Sequence, residues 1–186
     1  MITFPFKSEF YTVFPAPNAE QLISVIDEVC NTKQVDNDVF EWGKLCKVDR
    51  IPLLLQDFLD LYQPSVKVFC QLFKKDIKYT MTMDNPWINL YKKGYFQEVH
   101  NHRGHDISSV FFANDGENFS KFFFVDRQTN GYSLIYDKLI SHNYSEKPKI
   151  KAGDIMFFSS NLFHGVSPHK NDIIRKTLSV NFNIRR

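Results

Sequence analysis

The feature that most constrains the fold is a change of pattern near residue 78. Beyond it, runs rich in aromatic and β-branched residues alternate with turn signals, which is typical of short strands. The turn signals are Lys93-Gly94, Arg103-Gly104, Asn114-Asp115-Gly116 and Asn130-Gly131, the last a strong hairpin signal. The strand-like runs cover residues 79–83, 87–92, 96–101, 107–113, 119–126, 132–136, 154–159 and 174–184. Seven or eight such strands predict a sandwich or barrel.

The preceding stretch, from residue 18 to about 75, has apolar residues at helical spacing instead. Asn18 with Gln21 reads as a capping box, after which Leu22, Ile26 and Val29 lie on one face. A second helix, over 54–62, is predicted to stop at Pro64, and Ser65 is predicted to cap a third. The residues expected on the buried side of the third helix are Val68, Phe69, Leu72 and Phe73.

Length and composition indicate one α+β domain spanning residues 1–186, with a mainly helical part at 1–77 and the β-core at 78–186. The sequence has 186 residues, of which 43% are hydrophobic and 24% charged, as in an ordinary globular protein. The formal net charge of +2 argues against a nucleic-acid partner. Neither a signal peptide nor an apolar run of about 18 residues is visible, so we expect a cytoplasmic protein off the membrane.

Cysteine usage fits the same compartment. Cys30, Cys46 and Cys70 are odd in number and form no CxxC pair. A disulfide framework or a zinc ribbon is therefore not indicated, and we expect reduced, buried thiols.

The histidines carry the chemical signal. Three of the six fall close together, at His100, His102 and His105, and His164 follows about sixty residues after His102. On a strand, residues two apart point to the same face, so His100 and His102 can reach one metal ion, and His164 from a later strand would complete a facial set of three. His142 and His169 are expected to be ordinary surface or core histidines.

The last strand adds a second signal. Its polar residues Arg175, Thr177, Ser179 and Asn181 alternate with apolar ones and therefore share a face. An arginine and a hydroxyl two residues on, both facing a barrel interior, suit a planar carboxylate, because Arg can form a bidentate, charge-assisted pair.

Several motifs together resemble a family of 2-oxoglutarate/Fe(II)-dependent oxygenases of bacteria and phages, in a His-x-His variant. The first half of the match comprises Trp87-Ile88-Asn89-Leu90-Tyr91, Gly94, Gln97-Glu98-Val99-His100-Asn101-His102 and Ser108-Ser109-Val110-Phe111-Phe112. The second half comprises Gly153-Asp154-Ile155-Met156-Phe157-Phe158, His164, Arg175-Lys176-Thr177 and Asn181-Phe182-Asn183. The resemblance runs over roughly residues 85 to 184.

The resemblance implies a double-stranded β-helix, the jelly-roll barrel shared with cupins, with the N-terminal helices packed on it. It also implies a dioxygenase, commonly a hydroxylase, with Fe(II) as metal and 2-oxoglutarate as cosubstrate. His100 and His164 would be metal ligands, and Arg175 with Thr177 would hold the distal carboxylate of 2-oxoglutarate. Asn89 and Tyr91 would line the cosubstrate cavity.

Two positions depart from the family pattern. His102 stands where such oxygenases usually have Asp or Glu, and Ser109 stands where the family usually has glycine. The third ligand is therefore open between His102 and water, while Asp106 lies too far along an extended chain. His105 and Asp106 are expected near the mouth of the site, on the substrate side.

Two other functions remain open on sequence grounds. One is a cupin-like metalloenzyme that uses the histidines without 2-oxoglutarate; the other is a barrel that serves as a non-catalytic binding module. A cupin-like enzyme would stay largely active after loss of Arg175, whereas the oxygenase would not. A non-catalytic binding module would bind no Fe(II) tightly. The sequence leaves the oligomeric state and the substrate open, the latter a small molecule or a peptide or protein.

Overall fold

The computed structural model describes residues 9–36, 46–72, 77–126, 134–139 and 144–186. Within these ranges the chain forms three helices and eleven strands. The helices are α1 Ala19–Thr32, α2 Leu55–Cys70 and α3 Leu134–Leu139. The strands are β1 Tyr11–Pro15, β2 Asp49–Pro52, β3 Thr80–Met83, β4 Trp87–Tyr91, β5 Gln97–His100, β6 Ile107–Phe112, β7 Phe122–Val125, β8 Ser145–Glu146, β9 Asp154–Ser159, β10 Phe163–Val166 and β11 Arg175–Arg185.

The strands form two antiparallel sheets. The larger has the order β1-β9-β6-β11-β4-β2, with β3 also paired to β11, and the smaller has the order β5-β10-β7-β8. Side chains of both sheets meet in one apolar cluster, in which Phe122 and Phe124 of the small sheet contact Phe158 of the large one. The two sheets therefore face each other across a shared interior, as in a jelly-roll barrel.

The opposite face of the large sheet is covered by α1 and α2. Leu22 and Ile26 of α1 and Phe58, Tyr62 and Phe69 of α2 are buried there. The Phe69 ring stacks on the ring of Phe157 from β9, with the centroids 4.3 Å apart. Burial of one such side chain contributes about 1.5–3 kcal/mol, so this face anchors the helices.

The helices differ from the sequence prediction at two points. A single helix, α2, runs through Pro64, so the predicted stop at Pro64 and the predicted third helix after it are wrong. Proline inside a helix costs about 3 kcal/mol, and the packing of Tyr62, Ser65 and Phe69 on the sheet outweighs it. The capping box is also absent, because Asn18 Nδ2 donates to the carbonyl oxygen of Leu61 at 2.7 Å.

The buried side predicted for the third helix is only partly right. Phe69 is fully buried and Val68 is half-buried, whereas Leu72 is 62% exposed beyond the end of α2. Phe73 lies outside the described residues.

The predicted strand over 132–136 is wrong from Leu134 onward, where α3 begins. The Asn130-Gly131 hairpin lies outside the described residues. Three strands, β1, β2 and β8, were not predicted, and β10, the later strand expected to carry His164, was predicted without bounds. They are short, and Pro52 in β2 and Gly165 in β10 weaken the local strand signal.

The thiol of Cys46 is buried, and those of Cys30 and Cys70 are partly buried. Burial raises the pKa of the Cys30 and Cys46 thiols. Neither α1, α2 nor α3 is long and apolar enough to cross a membrane.

One buried polar pair joins α2 to the sheet and gives a test of this packing. The Tyr62 hydroxyl lies 2.7 Å from Ser109 Oγ, and both side chains are buried. We expect Tyr62→Phe to lower the free energy of unfolding by about 1–2 kcal/mol, because the buried Ser109 Oγ loses the Tyr62 hydroxyl and keeps only its longer bond, 3.4 Å to Val180 O. Urea unfolding of Tyr62→Phe, Ser109→Ala and the double variant measures the coupling; strictly additive effects would show that the pair does not interact.

Candidate metal centre

The structure brings three histidines together where the small sheet meets the interior. His100 ends β5 and lies opposite His164 in the antiparallel pairing of β5 with β10. The two rings are 4.4 Å apart, and the His102 ring is 5.1 Å from each. One nitrogen of each ring lies within 4.8 Å of the others, a separation that one metal ion can bridge.

His102 reaches this cluster in a different way from the one predicted. The strand β5 ends at His100, so His102 is not placed by strand alternation. Its backbone N–H donates to Ser160 O at 3.0 Å, and its carbonyl oxygen accepts from His105 N at 3.3 Å. A turn fixed by these two bonds therefore points the ring back toward His100 and His164.

Hydrogen bonds to the backbone set the tautomers of two rings. His100 Nδ1 lies 2.9 Å from Glu98 O, and His164 Nδ1 lies 2.9 Å from Leu162 O. A carbonyl oxygen only accepts, so both Nδ1 atoms carry the proton. Each Nε2 then carries the lone pair, as in a metal-ligating histidine. In His100 this lone pair accepts a hydrogen bond from the Gln97 amide at 3.3 Å.

The surroundings keep all three rings neutral. Burial is the largest cause that lowers the pKa of all three histidines. Repulsion within the cluster adds to it at His102 and His164, and these causes together lower the pKa of His102 to about 3. Neutral imidazoles bind a metal without first losing a proton.

Next to the histidines lies a narrow inner cavity bounded by β4, β6 and β11. The pairing of β4 with β11 sets Arg175 beside Tyr91 and Thr177 beside Asn89. All four residues line the cavity together with His100, and the predicted shared face of β11 is thus confirmed as a wall of it. The remaining polar lining residues are Gln97, His102, Ser108, Ser109, His164, Ser179 and Asn181.

Arg175 is a buried cation at one end of this cavity. Only 5% of it is exposed, and Nη1 donates to Ser120 Oγ at 3.2 Å. Its guanidinium lies over the rings of Tyr91 and Phe112, at 5.2 and 5.5 Å from their centroids. Burial lowers the pKa of Arg175, and no carboxylate in the described part of the chain pairs with it. A buried charge of this kind calls for an anionic ligand.

Two hydrogen-bonded groups complete the cavity wall. Asn89 Nδ2 donates to Ser179 Oγ at 3.0 Å and to Thr177 Oγ1 at 3.4 Å, whereas Asn89 Oδ1 is buried with no hydrogen-bond partner. The Tyr91 hydroxyl donates to Gln97 Oε1 at 2.8 Å, which orients the Gln97 amide.

The amide nitrogen of Gln97 lies 3.3 Å from His100 Nε2 and donates to it. Sequence reasoning missed Gln97, because its distance of three residues from His100 matches no strand period.

Of the two residues expected on the substrate side, His105 lines an outer cleft and Asp106 does not. Beyond the inner cavity is an outer cleft of about 620 Å³, into which His100 and His102 also face, and His105 lines it. Asp106 lines neither space; its Oδ2 accepts from Ile184 N at 2.7 Å and thereby holds the end of β11. It is not part of the histidine cluster.

The two remaining histidines were expected to be ordinary. His169 is fully buried, with Nε2–H donated to Ile173 O at 2.8 Å and Nδ1 accepting from Ser120 N at 3.1 Å, so it is a satisfied core residue. His142 lies outside the described residues.

Solved structures of 2-oxoglutarate oxygenases share this fold. A 2OG-Fe(II) oxygenase family oxidoreductase from Burkholderia pseudomallei aligns at a TM-score of 0.67 and 13% identity, over 93% of this chain and 84% of that one. HygX from Streptomyces hygroscopicus, with nickel, 2-oxoglutarate and hygromycin B bound, aligns at 0.68 and 11%, over 95% and 83%. A Pseudomonas putida prolyl-4-hydroxylase aligns at 0.61 and 15%, over 95% and 92%. The predicted double-stranded β-helix is confirmed.

Fold and cluster together define a metal-dependent oxygenase of the double-stranded β-helix class. The sequence profile of a 2OG-Fe(II) oxygenase family matches residues 85–183, more than half of the chain, whereas a search of the curated proteins finds no match. The chain belongs to this 2OG-Fe(II) oxygenase family, so the predicted enzyme class and the predicted Fe(II) and 2-oxoglutarate cofactors are confirmed.

The lowered histidine pKa values predict how the metal-free protein responds to acid. Unfolded His102 takes up a proton near its ordinary pKa of 6.5, but folded His102 does so only near 3. Between these values the unfolded state binds more protons, so stability is lost as the pH falls below 6.5. At pH 5, His102 alone accounts for a loss of up to about 2 kcal/mol in the free energy of unfolding.

Urea unfolding with EDTA at pH 7.5 and pH 5 measures this effect. We expect His102→Gln to lose less stability between the two pH values than the wild type does. Equal losses in both proteins would contradict the account of a neutral, buried ring.

Proposed function

We propose that His100, His102 and His164 bind Fe(II), and that 2-oxoglutarate occupies the inner cavity with its distal carboxylate on Arg175 and Thr177. The observation that carries this assignment is the buried, anion-free guanidinium of Arg175 in the same cavity as three neutral imidazoles. Asn89 and Tyr91 form the adjacent wall. The Tyr91 hydroxyl orients the Gln97 amide, and the Asn89 amide donates to Thr177 and Ser179.

The donor set fits these two groups. Three neutral imidazole nitrogens are ordinary ligands of Fe(II), and their facial arrangement leaves positions for a chelating keto acid and for dioxygen. The protein adds no negative charge from these ligands, so the carboxylate of the keto-acid end would offset part of the metal charge, while the distal carboxylate would offset Arg175. Burial of Arg175 strengthens its pairing with a carboxylate, because the local dielectric constant is low.

Fe(II) with 2-oxoglutarate supplies an oxidation in which a substrate C–H becomes C–OH, one atom of dioxygen entering that product and the other entering succinate as carbon dioxide leaves. The chain orients the reactants and limits water. Gln97, held by Tyr91, donates to His100 Nε2 at 3.3 Å, so it keeps this lone pair directed toward the cavity and would give it up to a bound metal. Phe122 and Phe158 pack against His164 and keep its far side dry.

We further propose a hydroxylation of a small molecule, in the cytoplasm. The outer cleft of about 620 Å³ falls in the range of small-molecule sites, and it opens directly on His100 and His102. HygX, of the same fold, is recorded with hygromycin B bound. Cys30, Cys46 and Cys70 form no disulfide among the described residues, which is consistent with a reducing compartment.

Turnover of 2-oxoglutarate tests the assignment of Arg175. With Fe(II), ascorbate and oxygen, we expect succinate formation by the wild type and a KM for 2-oxoglutarate raised about 30-fold or more in Arg175→Met, since a charge-assisted pair contributes about 2 kcal/mol or more. Arg185→Met, at the exposed end of the same strand, is the matched control and should keep the wild-type KM. An unchanged KM in Arg175→Met would show that Arg175 does not bind the cosubstrate, and a wild type that forms no succinate would favour a cupin-like enzyme that does not use 2-oxoglutarate.

A further inference from the structure

The outer cleft is positively charged. Two arginines, Arg50 and Arg103, and His105 line it, and no Asp or Glu is among the described lining residues. The rest of its wall is aromatic, apolar or amide-bearing: Trp87, Val99, Phe163, Gln97, Asn101 and Asn181. A cleft of one charge sign with apolar walls concentrates ligands of the opposite sign.

Arg50 is the built part of this surface. It pairs with Asn89 in the register of β2 with β4, which places it on the face of the large sheet that lines the interior. Only 4% of the residue is exposed, and Nη2 donates to Cys46 Sγ at 3.7 Å. Its charge contributes to the lowered pKa of His100 and His102, in keeping with a guanidinium close to these rings.

Two acidic groups in the described part of the chain lie near this region. Asp84 pairs with His105, with Oδ2 3.3 Å from Nδ1, so the positive charge of the cleft comes from Arg50 and Arg103.

The other acidic group is Glu98, whose charge raises the pKa of His100 and of the Cys46 thiol and whose carboxylate oxygens are buried. Glu98 does not line the outer cleft, so a ligand there would meet the arginines without meeting this carboxylate.

The histidine cluster strengthens the same preference. His102 lines both spaces at a position where an Asp or Glu would bring a carboxylate, and an imidazole carries no negative charge in either protonation state. The histidines that face the metal position therefore add no negative charge to the wall that Arg50 and Arg103 line.

The aromatic part of the wall adjoins the histidines. The Trp87 ring lies 6.0 Å from the His102 ring, and Phe163 of β10 lines the same cleft. Flat, apolar groups pack well against such rings.

We propose that the substrate is a small molecule with an anionic group, a carboxylate or a phosphate, on an aromatic or otherwise apolar body. Arg50 and Arg103 bind the anion. Trp87 and Phe163 pack against the body beside His102, and this orientation directs a C–H bond of the body toward the histidine cluster. Only the word substrate rests on the proposed function; the preference of the cleft for such anions stands independently of it.

The test uses three small probes of matched shape on the metal-free, full-length protein: phenylacetate, phenyl phosphate and the neutral phenylacetamide. Saturation-transfer NMR gives the affinity of each. We expect at least one of the two anions to bind about tenfold more tightly than the amide, an advantage that decreases with added salt. Which anion binds more tightly identifies the group as carboxylate or phosphate.

Arginine variants locate the binding. We expect Arg103→Gln, at an exposed position, to lower the affinity for the two anions about threefold or more. Arg50→Gln should lower this affinity further, and Arg175→Met should leave it unchanged. Arg185→Gln is the matched control for loss of one exposed charge.

Equal affinity for anions and amide would overturn the proposal. So would loss of anion binding in Arg175→Met with retention in Arg103→Gln, since the probes would then occupy the inner cavity. Anion binding at Arg103 in a protein that makes no succinate would overturn the proposed function and leave this inference standing.

Discussion

The antiparallel pairing of β5 with β10 is the constraint on which the site depends. It places His164 directly opposite His100 and brings together two residues that are distant in the sequence. Gly165 makes this close pairing possible, because a Cβ at that position would lie 2.9 Å from the Phe123 ring and 3.1 Å from Gln97 O. The pairing shifts register between His164 and Val166, beside the glycine. The histidine cluster therefore depends on a backbone arrangement that a larger residue would disturb.

The strand β11 connects stability to chemistry. Leu178, Val180 and Phe182 face the helices and belong to the main core, whereas Arg175 and Thr177 face the inner cavity. A shift of one residue in register would exchange these two faces, burying the charge against the helices and removing the anion partner from the cavity. The apolar face thus fixes the position of Arg175, and the helical layer supports the site from behind, where the Tyr62 hydroxyl lies 2.7 Å from Ser109 Oγ in the cavity wall.

Much of this arrangement was predictable from sequence, because it follows from short-range periodicity. The alternation of β11 predicted the polar wall, and the spacing of His100, His102 and His164 predicted their convergence, although a turn rather than a strand places His102. The missed features depend on tertiary packing. The strand β10 is too short to give a pattern. A predicted helix ended at Pro64, whereas α2 continues through this residue because Phe69 packs on Phe157. Gln97 and Ser120 have no sequence signal, since Tyr91 and Arg175 select them only in three dimensions. That the chain is one domain stays a prediction.

The central claim is that three neutral histidines and one buried arginine form a single site for Fe(II) and 2-oxoglutarate. Anaerobic titration of the Fe(II)-loaded protein with 2-oxoglutarate tests it most directly, because bidentate chelation gives a weak charge-transfer band in the visible spectrum. The account predicts that the band appears in the wild type, requires a higher 2-oxoglutarate concentration in Arg175→Met, and is absent in His164→Ala. Iron bound to the wild type without a band at saturating 2-oxoglutarate would contradict it.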